Sequence, residues 1–248
     1  MRDQADLDTL SAKVQDYLKA IWTATEWDGD PITTAGLAEH FGTTMATVSS
    51  AMRRLAAAGL VEYRPYKPVR LTRTGAEHAM AMVRRHRLLE TYLAEQLGYE
   101  WTQVHDEAEL LEHAVSDLFI ARIDDLLGHP EFDPHGDAID PSKGSADAEP
   151  LRVASVGDYR VLRVSDAQVD VLSALGDMGV RPQAHVRVSD TTPVVLQTAK
   201  GVFTLSEAEA EAVWVLAAHP KRGGGSSAHG GSGSGNAGSL GGRRSPRR

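Results

Sequence analysis

Cysteine is absent from the 248 residues of this chain. With it go disulfides, thiolate metal sites, iron–sulfur clusters and cysteine nucleophiles, so histidine and carboxylate side chains are the metal ligands that remain. Long apolar runs are missing too, and no stretch has the length and character of a membrane span. The opening residues, MRDQADLDTL, carry Asp3, Asp6 and Asp8 where a secretory leader needs an apolar run, which predicts a cytoplasmic chain. No phosphate-cradling glycine loop and no nucleophile motif is present. What is there lies near the globular average, with 42% hydrophobic and 24% charged residues. That composition excludes a fibrous repeat or wholesale disorder, and the length fits one large domain or two to three small ones.

Charge is segregated along the chain. Lys+Arg against Asp+Glu run 9 to 9 over residues 1–74, 5 to 17 over 75–150, 6 to 8 over 151–220 and 6 to 0 over 221–248. Within the first segment the acids crowd before Asp30, and residues 31–74 hold 6 basic residues against Glu39 and Glu62. A basic patch beside an acidic block suggests a phosphate-facing surface joined to a cation-binding one.

Leu10, Val14, Tyr17, Leu18, Ile21 and Trp22 recur at helical spacing and predict a helix from Ser11 to Trp27. After the turn at Asp28 to Pro31, Thr33 or Thr34 caps a short helix ended by Gly42, and Thr43 or Thr44 caps another ended by Gly59. Two short strands follow, Leu60 to Arg64 and Val69 to Thr72, joined by the Pro65 to Pro68 turn. The sum is a winged helix-turn-helix. Further helices are predicted from Ala76 to Leu97 and from Thr102 to Leu127, the latter with a possible break near Asp106; these could supply a dimer interface. Residues 128–150 are a Pro-, Gly- and Asp-rich loop and linker. Residues 151–219 read as Val-rich strands around a helix from Ala167 to Met178, closing as a small barrel. The Gly/Ser-rich tail ending RRSPRR is too poor in apolar residues to pack.

The chemistry concentrates in VHDEAELLEHAVSDLF, where His105, Glu109, Glu112 and His113 fall at i, i+4, i+7 and i+8 and share one helical face, opposite an apolar stripe of Leu110, Leu111, Ala114, Val115 and Leu118. His86 and Glu90 form a second pair at i, i+4 on the preceding helix. Two such helices packed together would offer nitrogen and oxygen donors for one or two divalent cations. A solvated charged face with incidental histidines is the competing explanation, and the repeated His/Glu pairing weighs against it. A metal-dependent hydrolase could also use the cluster, but that leaves the winged helix unexplained. A winged-helix regulator answering to an organic ligand would leave the carboxylates as a surface network. His40, His78, His129, His135, His185, His219 and His229 lack a partner at helical spacing and read as structural or incidental, as Trp22, Met45 and Met52 read as packing.

With these blocks in order, the chain resembles the diphtheria toxin repressor and manganese transport regulator family of metal-dependent transcriptional regulators. The likeness runs over residues 8–220 and rests on RRHRLLE at Arg84 to Glu90, VHDEAELLEH at Val104 to His113, GLAEHFGTTMATVSSAMRRLAAAGLVEY, and the HPEFDPHG loop. It implies a mainly α architecture with small β parts. The winged helix would span residues 1–74, a helical dimerisation and metal-binding domain 75–140, a linker 141–150, an SH3-like barrel 151–220, and a disordered basic tail 221–248. It implies one metal site at His86, Glu90 and His105, and an activating site at Asp16, Glu109, Glu112 and His113.

Iron-responsive members place Met and Cys where this chain has Asp16 and Glu109, so the oxygen-rich set tilts the cofactor toward Mn²⁺ with Fe²⁺ as the alternative. A second N-terminal carboxylate of the shorter manganese regulators falls at Lys19. In the barrel, alignment offers Gln168 or Asp170 as a partial ligand replacement, while Val171 cannot coordinate. Thr44, Ala46, Thr47 and Ser50 are placed to face base edges, with Arg53, Arg54, Arg64, Lys67 and Arg70 on phosphates. The expected protein is a homodimeric, non-enzymatic repressor of metal-uptake or homeostasis genes, bound to double-stranded operator DNA, without membrane or organic cofactor. Its carboxylates would repel one another when no metal is bound.

Overall fold

The computed structural model describes residues 10–143 and 148–218; the predicted basic tail lies outside the described residues. Helix α1 (Ala12–Thr23) buries Tyr17, Leu18 and Ile21, then leaves through a turn in which Trp27 adopts a left-handed φ of 59°. Thr33 caps α2 (Thr34–His40) by accepting the Gly36 N–H, and Thr44 caps α3 (Met45–Ala57) by accepting the Thr47 N–H. Between them Gly42 takes the φ of 56° that the helix-turn-helix corner requires. Strands β1 (Val61–Glu62) and β2 (Arg70–Leu71) pair antiparallel with Val61 opposite Leu71. They are shorter than the predicted strands because Pro65 and Pro68 supply no ladder N–H. Leu18, Leu37, Val48, Met52 and Leu55 form the shared core.

Helix α4 (Arg73–Leu97), capped by Thr72 and ended by Gly98 at φ 73°, starts three residues before the predicted Ala76. The helix predicted from Thr102 to Leu127 is two helices, α5 (Val104–Leu111) and α6 (Asp117–Leu126), parted at 112–116 and not near Asp106. Buried Arg85 explains the break. Its Nη1 donates to the carbonyls of Glu112 and Val115 at 3.1 Å, satisfying acceptors that a continuous helix would use, while Ser116 caps α6. The predicted apolar stripe is split: Leu111 and Val115 pack against the helical core, while Ala114 is exposed. Val104, Ala108 and Glu112 face inward, whereas Leu110 and Leu118 are exposed on the protomer, together with Leu126.

The C-terminal unit is a six-stranded antiparallel sheet in the order β3-β8-β4-β5-β6-β7. These strands are β3 (Glu149–Pro150), β4 (Gly157–Val164), β5 (His185–Thr191), β6 (Val194–Thr198), β7 (Gly201–Thr204) and β8 (Val213–Ala217), with helices α7 (Val169–Asp177) and α8 (Glu207–Glu211). Strands β3 and β8 and helix α8 were absent from the sequence expectation. Two features lock this unit onto the helical one. Trp101, from the α4–α5 connection, is buried in the sheet's core with the Arg181 guanidinium 4.3 Å from its ring centroid. The loop after α6 also lies on β4, where Val164 donates its N–H to His135 O at 2.9 Å. No helix among the described residues is long and apolar enough to cross a membrane.

Gly136 lies in that contact at φ 92°, and a Cβ there would stand 2.1 Å from Leu162 O. Gly136→Ala is therefore expected to lower unfolding stability by about 1–3 kcal/mol or more in urea denaturation. Wild-type stability for this variant would contradict the close packing of loop and strand.

Candidate metal centre

Helices α4 and α5, the end of α1 nearest them, and the loops at 133–137 and 165–168 converge on one polar region. His86 on α4 is its centre. Its Nε2–H donates to Glu90 Oε1 at 3.1 Å and its Nδ1–H to Glu112 Oε2 at 2.7 Å, with His105 Nδ1 3.3 Å away. Glu90 and Glu112 side chains are each 1% exposed. His105 Nδ1 in turn lies 2.8 Å from Asp166 Oδ2, an ion pair.

His86, Glu90, His105 and Asp166 thus offer four donor atoms within 4.8 Å of one another. The first three were expected together. The fourth is Asp166, in the loop after β4, rather than Gln168 or Asp170, both of which are exposed.

The second expected set is brought together in part. Asp16 Oδ1 accepts from His113 Nε2 at 2.7 Å, and Glu112 Oε1 lies 3.5 Å from the same nitrogen, so α1 and the end of α5 meet here. Gln15 Oε1 accepts from His113 Nδ1 at 2.8 Å, which fixes the ring so that Nε2 points at the carboxylates. Glu109 stands apart from Asp16 and groups instead with His86 and Glu112.

Lys19 is planted in that last group. Its Nζ donates to Glu109 Oε1 at 3.0 Å and Glu112 Oε1 at 2.6 Å, and lies 3.5 Å from His86 Nδ1. This corrects the expectation that the carboxylates repel without metal: an ammonium ion neutralises them.

His135, set aside on sequence as incidental, is fully buried. Its Nε2–H donates to Trp101 O at 2.8 Å, its Nδ1 has no hydrogen-bond partner among the described residues, and Glu90 Oε2 is 3.8 Å away. Glu90, Asp133 and His135 form a further donor group within 4.8 Å. A backbone acceptor on one imidazole nitrogen with the other left for a ligand is how metal-binding histidines are commonly oriented. No local spacing links Asp133, His135 or Asp166 to α4; the DPHG turn was the visible signal for two of them.

The donor set fits a divalent cation. It holds imidazole nitrogen and carboxylate oxygen without sulfur, the chemistry of Mn²⁺, Fe²⁺ or Zn²⁺ sites. Burial opposes protonation of these histidines, but the surrounding carboxylates outweigh it. Glu90 and Glu112 raise His86 to about 9, Asp166 and Glu90 raise His105 to about 11, and Glu90 and Asp133 raise His135 to about 10. Burial acts against ionised Glu90 and Asp166 too, and the facing imidazoliums hold both below the ordinary carboxylate range.

The residues expected to meet DNA lie away from this centre. Thr44, Ala46, Thr47 and Ser50 are exposed at the start of α3, with Arg53 and Arg54 beyond them and Arg64, Lys67 and Arg70 on the wing. The Thr44 hydroxyl is engaged as the α3 cap and lies 2.9 Å from Thr47 Oγ1. Met45, expected to pack, is 58% exposed on the same face, and Tyr66 at the wing tip is fully exposed.

Three family models match consecutive segments. They are the N-terminal DNA-binding domain of the iron dependent repressor over residues 9–69, its metal binding and dimerisation domain over 72–141, and the FeoA domain over 150–217. The iron-dependent repressor IdeR of Mycobacterium tuberculosis strain H37Rv is 31% identical over 193 residues, covering 71% of this chain and 83% of that protein. The diphtheria toxin repressor of Corynebacterium efficiens is 30% identical over 177 residues, covering 64% of this chain and 76% of that one. A solved manganese-dependent transcriptional repressor in complex with manganese is 43% identical, with a TM-score of 0.75, covering 82% of this chain and 99% of that one.

Raised pKa values leave metal-free His86, His105 and His135 protonated at pH 7, whereas coordination needs an imidazole neutral. Mn²⁺ uptake is therefore expected to release about one proton or more per protomer, and its affinity to rise between pH 6 and pH 8. Calorimetric titration in two buffers of different ionisation enthalpy measures this release. Identical heats would contradict the electrostatics described.

Proposed function

From the premise that this chain belongs to the diphtheria toxin repressor family of metal-dependent, dimeric, DNA-binding transcriptional repressors, we propose that its activating ion is Mn²⁺ and that its targets are metal-uptake or homeostasis genes. The family consists of DNA-binding repressors and not enzymes, which removes the hydrolase alternative. The observation that carries the proposal is the contact of Asp16 on α1 with His113 and Glu112 at the end of α5. One cation held there joins the DNA-reading head to the dimerisation helices, so occupancy fixes the orientation of the head.

In this reading Asp16, Glu112 and His113 hold the activating ion, and Glu109 completes the set once drawn away from Lys19. His86, Glu90, His105 and Asp166 hold a second ion, with Asp133 and His135 available on the far side of Glu90. Lys19, seated between Glu109 and Glu112, supports one ion rather than an adjacent pair at the activating site. The absence of cysteine from the chain, and the carboxylate of Asp16 in the activating group, support Mn²⁺. Fe²⁺ is the second reading, favoured by the iron-dependent naming of the mycobacterial relative. On DNA, Ala46, Thr47 and Ser50 read base edges, with Thr44 contributing as far as its cap allows. Arg53, Arg54, Arg64, Lys67 and Arg70 bind phosphates. The exposed Leu110, Leu118 and Leu126 side chains suit burial between protomers.

A 100-fold preference of the ion for the DNA-competent orientation corresponds to about 2.7 kcal/mol, within reach of a few ligand bonds. Asp16→Ala is expected to sediment as the wild-type dimer yet lose about 100-fold of the Mn²⁺-stimulated affinity for a duplex selected from a random pool by the wild type. Retained Mn²⁺-dependent binding by this variant would overturn the proposal.

A further inference from the structure

A second contact holds the DNA-reading head, and it involves the C-terminal sheet. The ladder between β4 and β8 shifts register between Val161 and Arg163, and Arg163 stands opposite Trp214. Such a bulge re-aims the side chain that follows it. Arg163 thereby lies against two indoles that also touch each other, its guanidinium carbon 4.9 Å from the Trp214 centroid and 5.2 Å from that of Trp27, with the two ring centroids 5.7 Å apart. Its Nε donates to both oxygens of Asp137 at 2.7 and 2.8 Å, and Trp27 Nε1 donates to the same Asp137 Oδ1 at 2.6 Å. Beside them Arg87 on α4 donates to Glu26 Oε2 at 2.7 Å and to Ala138 O at 2.8 Å.

Trp27 and Glu26 close the turn after α1. Helix α1 is therefore gripped twice, at Asp16 and again beyond its C-terminal end at Glu26 and Trp27. The left-handed backbone of Trp27, at φ 59°, is strained for an L-residue and persists where surrounding contacts fix it. Three residues after Arg163 comes Asp166, bound to His105.

We propose that the C-terminal sheet positions the DNA-reading head: ion capture between His105 and Asp166 fixes the segment 163–166, and Arg163 with Asp137 transmits that constraint through Trp27 to α1. Arg163 is a positioning residue, touching neither ion nor DNA. This rests on the metal reading given above, and the experiment separates the two.

Amide hydrogen exchange followed by mass spectrometry would be run on the full chain carrying Asp16→Ala, so that no ion held at the activating site is tied directly to α1. Exchange is expected to slow about fivefold or more over residues 20–29 as well as over 86–111. Adding Arg163→Gln is expected to abolish the slowing at 20–29 and leave that at 86–111. Trp27→Phe, which alters no buried charge, is a second probe with the same expected loss. Slowing at 86–111 with no response at 20–29, or a response that both variants keep, overturns the coupling alone. No slowing at either segment overturns the metal reading and this proposal together.

Discussion

Two carboxylates at the centre of the molecule, Glu90 and Glu112, are almost wholly removed from water. An ionised carboxylate in such a place costs several kcal/mol unless paired and hydrogen-bonded, and much of the architecture around α4 follows from meeting that cost. His86 stands between the two and donates to both. Lys19 reaches across from α1 to Glu112, and His105 comes up from α5 within 3.4 Å of Glu90. The same requirement explains why His86, His105 and His135 end with raised pKa values although burial opposes their protonation. A divalent cation answers the same demand with more charge, so protons and metal compete for one set of donors.

That demand ties three units together. Helix α1 belongs by its core to the winged helix, yet its polar face sends Asp16 and Lys19 into the centre. The C-terminal sheet sends Asp166, and the loop after α6 is held against it by the Val164–His135 hydrogen bond. A family of metal-dependent repressors needs such sharing, because an ion confined to one unit would have no leverage over the orientation of another.

Local elements were legible in the sequence because their signals are local. Thr33, Thr44, Gly42 and Gly59 marked the helix-turn-helix by capping and positive-φ chemistry, and the long period-3.6 pattern marked α4. The break after Leu111 was misplaced because its cause, Arg85, lies on another helix; Ser116 before Asp117 was the cap signal that could have located it. His86 with Glu90 and His105 with Glu109 were readable as two pairs at i, i+4. Asp166, Asp133 and His135 reach the centre only through docking of the sheet and its neighbouring loop, and no sequence period encodes that. Lys19 was visible only as a departure from the family pattern. Its ion pairs with Glu109 and Glu112 give it a structural reason.

The central claim is that Mn²⁺ turns this chain into a DNA binder. Fluorescence anisotropy of a labelled duplex, selected from a random pool by the Mn²⁺-loaded protein, would be titrated anaerobically with the metal-free protein and with Mn²⁺, Fe²⁺ or Zn²⁺ added separately. The account predicts weak binding without metal and an affinity gain of about 100-fold with Mn²⁺. Equal affinity with and without every metal would contradict it.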